Sequence, residues 1–153
     1  MRGLKHIDDE IIELSYKKNI SEDKDLDLEI SINYRLDFDE DARMCYGNAE
    51  IEIDDDEHTQ LEIRIHTIGI FSYKADVLTD EIRRQLHAET VVELNPQWNS
   101  LLTNLTMLAG IPPIELEPME FEDAEIQLSH GEGLNYLTLW LRLTAEVMII
   151  CFQ

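Results

Sequence analysis

The stretch LDLEISINYRLDF at residues 26–38 decides the fold class of this chain. Apolar side chains occupy every second position from Leu26 to Phe38, and polar or charged side chains fill the positions between them. Successive side chains of a β-strand point to opposite faces, so this period of two is typical of a strand with one buried and one wet face. The stretch therefore predicts a long strand with one face in the core.

Three neighbouring stretches predict further strands: residues 11–17 (IIELSYK), residues 43–53 and residues 58–73. A charged turn at residues 39–41 joins the strand at 26–38 to the strand at 43–53, and a second one at residues 54–57 leads into the strand at 58–73. Strands joined by such short turns run antiparallel. Small side chains on one side of the 43–53 strand indicate close packing or a bulge. That side carries Cys45, Gly47, Ala49, Ile51 and Ile53.

From Thr79 onward the apolar residues follow helical spacing. Thr79 can cap a helix whose first turn carries Asp80 and Glu81, because acidic side chains are stabilised at the positive end of a helix. Pro96 is expected to separate two helical runs, whose apolar residues are Ile82, Leu86 and Leu94, then Trp98, Leu101, Leu102, Leu105 and Leu108. Gly110 ends the second run, and the prolines after it prevent its continuation.

The segment 134–152 fits two patterns. Alternation of leucines favours a strand, whereas Leu134, Leu137, Leu141 and Met148 also fit one face of a helix. The segment is apolar nearly all round, so it is expected to be buried or to lie in an interface. Arg142 and Glu146 would be costly in lipid, and a packed element is therefore expected rather than a membrane span.

The charge of the chain limits its partners. There are 33 acidic against 12 basic residues, a net charge of −21, in a chain of 153 residues that is 44% hydrophobic. Such a field repels phosphate backbones and anionic lipid, so neither nucleic-acid nor membrane binding is expected. The acidity is a solubility device, a docking surface for a basic partner or a nucleic-acid mimic. The start, MRGLKHIDDE, lacks the apolar core of a signal peptide, which predicts a cytoplasmic protein.

Catalytic and metal-binding motifs are missing from the sequence. It has no glycine-rich phosphate loop and no nucleophile elbow, and its histidines show no paired ligand spacing. The acidic run at residues 37–41 resembles a calcium loop but lacks the required Gly and the final Glu. We therefore expect a protein that is not an enzyme, with no cofactor and no metal site. Arg83 and Arg84 are expected to form ion pairs with nearby acids.

Two apolar stretches remain, IGIFSY at residues 68–73 and IPPIELEPMEF at residues 111–121. The first ends a strand with apolar residues on both faces, so it must be covered twice or must expose apolar surface for a ligand or subunit. The second is a proline-braced loop. It either packs on the sheet or forms a hydrophobic groove with a pliable methionine, suited to extended polypeptide segments.

These stretches, with the helical LLTNLTMLAG between them at residues 101–110, resemble the SecB family of export chaperones. A G-I-F strand end, a helix and a G-x-P-P-x-x-L-x-P-x-x-F loop follow in the same order, and the likeness spans residues 11–121. It implies one domain over residues 1–153 of the α+β class. A four-stranded antiparallel sheet would be packed by a long kinked helix and by a C-terminal apolar helix or strand. On this ground we favour a helix for residues 134–152.

The resemblance also implies a function. Family members capture unfolded precursor polypeptides without ATP, assemble as a tetramer (a dimer of dimers) and pass their clients to the export motor SecA. The client-binding groove would then comprise Ile70, Phe71, Tyr73, Pro112, Pro113, Ile114, Leu116, Met119 and Phe121. Two alternatives remain open: a dedicated chaperone of a toxin–antitoxin pair, and an acidic interaction module or nucleic-acid mimic without chaperone activity.

Three features depart from the family pattern. Arg64 stands where the family offers an acid to SecA, Pro96 interrupts the helix, and residues 122–153 are longer and more apolar than the family's C-terminus. A partner such as SecA would then dock on other acids of the sheet, namely Asp27, Glu29, Asp37, Glu50, Glu52 and Glu62.

Overall fold

The structure is a computed structural model that describes residues 3–19, 25–26, 28–55, 60–111, 113–114, 116, 127–131, 134–141 and 150–151. Its elements follow the chain in this order: β1 (Lys5–Lys18), β2 (Asp25–Leu26), β3 (Leu28–Asp39), β4 (Met44–Asp55), β5 (Leu61–Ser72), α1 (Asp80–Ala109), β6 (Gln127–Gly131), β7 (Leu134–Leu141) and β8 (Ile150–Cys151).

The strands form an antiparallel sheet in the order β1-β5-β4-β3-β7-β6, and β2 pairs with β8 separately. The four long strands lie where the alternating stretches predicted them, so the four-stranded antiparallel sheet with a long helix is confirmed. Strands β7 and β6 extend this sheet beyond β3. In β1 the register shifts at Ile7 and Ile12, each of which is an extra residue opposite β5.

The buried face of the sheet follows the sequence alternation. In β3 the side chains of Leu28, Ile30, Ile32, Tyr34 and Leu36 are at most 4% exposed, and the residues between them are partly or fully exposed. Strands β4 and β5 repeat the pattern with their own alternate residues. Because antiparallel partners share a face, these residues form one continuous apolar surface against which α1 packs.

A single helix of 30 residues covers that surface. The Thr79 hydroxyl accepts a bond from the Ile82 amide, and Gly110 ends the helix in the left-handed conformation with φ 70°, both as predicted. The prediction of two runs separated at Pro96 was wrong, since the helix continues through it. Proline removes one amide donor, but Pro96 and Val92, whose carbonyl loses that donor, are exposed, so water can replace it. No helix in these described ranges is long and apolar enough to cross a membrane.

The C-terminal segment corrects another prediction. Residues 134–141 form strand β7, not the helix that we favoured, and pair with β3 from Ile32↔Leu141 to Asp37↔Tyr136. The unpaired edge of β3 explains the choice, because it supplies main-chain partners that a helix would leave unused. Residues 142–149 and 152–153 lie outside the described residues.

Two glycines bring α1 close to the sheet. Gly47 and Gly69 are cross-strand partners in a regular stretch of β4 and β5, which favours close packing over a bulge. A Cβ atom on Gly69 would lie 2.6 Å from Cδ2 of Leu94, and one on Gly47 would meet the Tyr34 hydroxyl. Hence Leu94 of the helix and Tyr34 of β3 occupy the space that two side chains would otherwise fill.

A buried polar cluster lies beside this contact. The Tyr34 hydroxyl is 2.7 Å from Oγ1 of Thr90, and Thr90 also donates to the His87 carbonyl at 2.9 Å. The Tyr34 ring meets the His87 ring edge-on, with centroids 4.9 Å apart. Desolvation raises the pKa of Tyr34 and lowers the pKa of His87 to about 4, so His87 is neutral in the fold at pH 7.

Replacing Gly69 by alanine should destabilise the fold by about 1–3 kcal/mol, because the new methyl group forces Leu94 and the helix outward. Urea unfolding, followed by circular dichroism, measures the change. Ser100→Ala, on the exposed side of the same helix, is the control and should change the free energy of unfolding by about 0.5 kcal/mol or less. Equal stability of the Gly69→Ala chain would contradict the close contact.

Acid should weaken the fold through His87. The pKa of His87 in the folded state, about 4, lies below its ordinary value of 6.5. The contribution of neutral His87 to the free energy of unfolding is therefore complete above pH 6.5 and is lost as the pH falls toward 4. The full loss amounts to about 3 kcal/mol. Unfolding free energies of the native chain and of His87→Phe, measured between pH 7 and pH 4.5, should diverge by a growing part of this amount. Parallel curves would refute the role of His87.

Candidate polypeptide-binding surfaces

The predicted client groove is divided by the sheet. Phe71 and Tyr73 lie on the helix side and are 0% and 4% exposed. Ile70 lies between them in sequence and therefore on the opposite face, where it is half-buried. His6 stacks on the Phe71 ring at 4.7 Å, and Phe38 meets the Tyr73 ring at 6.2 Å. Phe71 and Tyr73 are thus covered by residues of their own chain.

The loop after α1 runs back along the helix. Asn99 fixes it, donating from Nδ2 to the Leu116 carbonyl at 3.0 Å and accepting from the Leu116 amide at 2.6 Å. Ile114 and Leu116 are buried in the core, whereas Pro113 is exposed. Pro112, Met119 and Phe121 lie outside the described residues. Client contact by the predicted groove residues therefore stays a prediction, and Ile114 and Leu116 pack as core.

The outer face of the sheet, opposite α1, gathers the predicted acidic residues. Cross-strand register places Glu29 beside Asp54, then Glu62, in one row, and Glu50 and Glu52 in the next two rows. Asp37 lies on the same face nearer the other end, held by Arg35 and by Asn48 at 3.0 Å, and partial burial raises its pKa. Asp27 lies outside the described residues. Docking of a partner on these acids stays a prediction.

Arg64 lies within this acidic band. Its Nε atom is 2.6 Å from a carboxylate oxygen of Glu62, and it is the cross-strand partner of Glu52. The residue therefore neutralises part of the acidic face. At the opposite end of the sheet Arg83 bridges Glu40 at 2.7 Å and Asp80 at 3.4 Å, which confirms the predicted ion pairs for that residue.

An apolar patch adjoins the acids on the outer face. We call Met44, Tyr46, Ile68 and Ile70 the outer apolar patch. Tyr46 and Ile70 are cross-strand partners, and all four residues are only partly buried. The sequence identified Ile68 and Ile70 from the loss of polar alternation. Met44 and Tyr46 were missed because only the opposite side of β4 was considered.

A second exposed apolar surface lies on β1. We call Ile7, Ile11, Ile12, Leu14 and Tyr16 the β1 apolar edge, and each is 40–50% exposed. Lys18 and Tyr16 bond the carbonyls at the end of α1, at 2.9 Å to Ala109 and 3.4 Å to Leu108. Within the described ranges β1 pairs with β5 alone. The sequence predicted a strand here but not its exposure, because its two extra residues break the alternation.

The chemistry of these surfaces is that of apolar burial and charge. Among the described residues no group of three or more His, Cys, Asp or Glu side chains could hold a metal ion. Cys45 is fully buried, and desolvation raises the pKa of its thiol to about 12, which suppresses the reactive thiolate. What the surfaces offer is apolar area beside a strong negative field.

Comparison with known proteins identifies the fold of the chain. No protein-family model and no curated protein matches the chain. Among solved structures it is similar to the SecB-like chaperone Rv1957 of Mycobacterium tuberculosis, solved in complex with a ChAD peptide from the Rv1956 HigA1 antitoxin. The TM-score is 0.62 at 15% sequence identity, over 76% of this chain and 88% of that one. The resemblance that the sequence indicated is thus confirmed at the level of the fold, which is SecB-like.

Proposed function

We propose that the chain binds unfolded or extended polypeptides as a non-catalytic chaperone. The observation that carries this proposal is that a SecB-like fold of net charge −21 leaves one apolar surface exposed on β1 and a second one partly exposed on the outer face of the sheet. The structural neighbour's complex with an antitoxin peptide supports a polypeptide partner.

Binding would combine apolar burial with electrostatic attraction. Client side chains would bury the outer apolar patch, at about 25 cal/mol per Å² before ordering costs are subtracted. The acids beside the patch would attract basic client segments and keep the loaded complex soluble. Because the patch and the acids share one sheet face, a single extended segment can contact both.

We infer a dedicated partner in preference to general export. Arg64, paired with Glu62, reduces the acidity at the position where the SecB family offers an acid to SecA. The neighbour's antitoxin peptide agrees with a dedicated chaperone of a toxin–antitoxin pair.

Titration of the purified chain with SecA in a calorimeter tests this choice, and tight, salt-sensitive binding on the acidic face would favour export instead.

Removing the outer apolar patch should weaken client binding. Ile68→Thr with Ile70→Thr keeps β-branched side chains but replaces an ethyl group by a hydroxyl in each, so we expect about tenfold weaker affinity. Fluorescence anisotropy with a labelled, reduced and carboxymethylated lactalbumin measures it.

Val77→Thr, at a separate exposed site, is the matched control and should bind normally. A double variant that binds as tightly as the native chain would exclude the patch. A native chain without affinity for the unfolded probe, but with strongly salt-dependent binding of a folded basic protein, would instead support the acidic interaction module or mimic.

We also propose that a second copy covers the β1 apolar edge in a homo-oligomer, up to the expected tetramer. Among the described strands, β1 has one edge without a partner along its 14 residues and five exposed apolar side chains, which makes it a strong pairing surface. Asp8 and Asp9 lie in its first half, after Lys5, and Lys17 and Lys18 lie at its other end. An antiparallel register that sets Asp8 and Asp9 opposite Lys18 and Lys17 of the second copy would bring opposite charges together.

Charging this edge should therefore dissociate the assembly. Light scattering should give the native chain a mass near four times 17.8 kDa, and Ile11→Lys with Leu14→Lys a smaller one. Val77→Lys adds charge elsewhere and should leave the mass unchanged. A native chain that stays at 17.8 kDa at micromolar concentration would contradict the oligomer.

A further inference from the structure

The outer edge of β3 is covered by the chain's own C-terminal hairpin. Strand β3 pairs with β4 over residues 28–39 but with β7 only over residues 32–37. Strand β6 in turn pairs only with β7 among the described strands, so the hairpin joins the sheet through one short ladder. Beyond it, β8 pairs with β2, directly before β3.

The register of this ladder shows what the β3 edge accepts. Leu137, Leu139 and Leu141 are the partners of Leu36, Tyr34 and Ile32, which are buried positions of β3. The positions between them, Tyr136, Thr138 and Trp140, are the partners of Asp37, Arg35 and Asn33. The fitting occupant is thus an extended segment with apolar residues at every second position.

We propose that the β3 edge is a strand-addition site for clients, and that β7 occupies it until a client segment with alternating apolar residues takes its place. This inference rests on the proposed function and names the mode of client binding. In this mode, main-chain hydrogen bonds add to the client affinity that the outer apolar patch provides, because an added strand is held by ladder hydrogen bonds whatever its sequence.

Exchange of β7 is favoured by its short ladder. Six residue pairs hold β7 on β3, against twelve between β3 and β4. An incoming strand replaces the broken hydrogen bonds one for one, so the main-chain cost of displacement largely cancels. A tethered strand competes at an effective concentration on the order of millimolar. Poorly matching segments are therefore excluded, and only clients with several well-placed apolar residues displace β7.

A disulfide across the ladder tests the proposal in the full-length chain. Arg35→Cys with Thr138→Cys, in a Cys151→Ser background, places two thiols at a cross-strand pair, a geometry in which disulfides form. Oxidation should weaken binding of carboxymethylated lactalbumin at least tenfold, and dithiothreitol should restore it. Failure of the disulfide to form would show that β7 does not lie on β3 and would overturn the proposal.

The control is a disulfide between two strands that stay paired in the proposed exchange. Glu13→Cys with His66→Cys joins β1 and β5 away from the outer apolar patch, and its oxidation should leave the locked-to-reduced affinity ratio near one. If the β3–β7 disulfide forms and the oxidised chain binds as tightly as the reduced one, strand exchange is refuted while the chaperone function stands. If even the reduced chains fail to bind unfolded polypeptide, the proposed function fails and this inference fails with it.

Hydrogen exchange gives an independent readout in the native chain. Addition of client should speed exchange at residues 136–141, because β7 leaves the sheet, while residues 32–37 remain protected by the client strand. Unchanged exchange at residues 136–141 under saturating client would overturn the proposal.

Discussion

The contact between α1 and the paired glycines of β4 and β5 determines the rest of the molecule. Gly47 and Gly69 let Leu94 approach the sheet backbone, and Tyr34 reaches across the same space to Thr90. A protein interior is packed as densely as an organic crystal, so a helix this close has one position and one direction. Because the glycines are cross-strand partners, Leu94 packs over the β4–β5 pair.

What this contact leaves uncovered is as important as what it buries. Strand β1 meets α1 at the C-terminal end of the helix, where Tyr16 and Lys18 bond the carbonyls of Leu108 and Ala109. Its apolar residues nevertheless stay 40–50% exposed. At the opposite side β3 still needs a partner for its outer edge, and the chain supplies β7 from its C-terminus. The sheet thus has two strand edges that the proposals use, β1 for a second copy of the chain and β3 for a client.

Much of this could be predicted from the sequence where a single periodicity dominates. The alternation in residues 26–38 and the caps at Thr79 and Gly110 are local signals, and the structure follows them. Residues 134–141 were misassigned because a segment apolar on all sides satisfies both periods, and only the free edge of a strand a hundred residues earlier decides between them. The two extra residues of β1 hid its exposed edge, since each shifts the apparent alternation by one position. The prediction of a helix break at Pro96 failed because a helix tolerates proline where the unbonded carbonyl faces water, and the sequence alone does not show which side of the helix is exposed.

The exposed apolar edges and the high negative charge are connected, because both affect how readily the chain associates with its own copies. A chain that offers strand edges to other polypeptides also offers them to its own copies, and uncontrolled pairing leads to aggregation. Asp8, Asp9, Glu10 and Glu13 interrupt the β1 apolar edge, so a copy approaching in the wrong register meets like charges. The net charge of −21 adds a repulsion that only a closely matched or basic partner overcomes. Under the proposed function, the charges exclude mismatched partners, while the apolar residues and the strand edges attract extended chains.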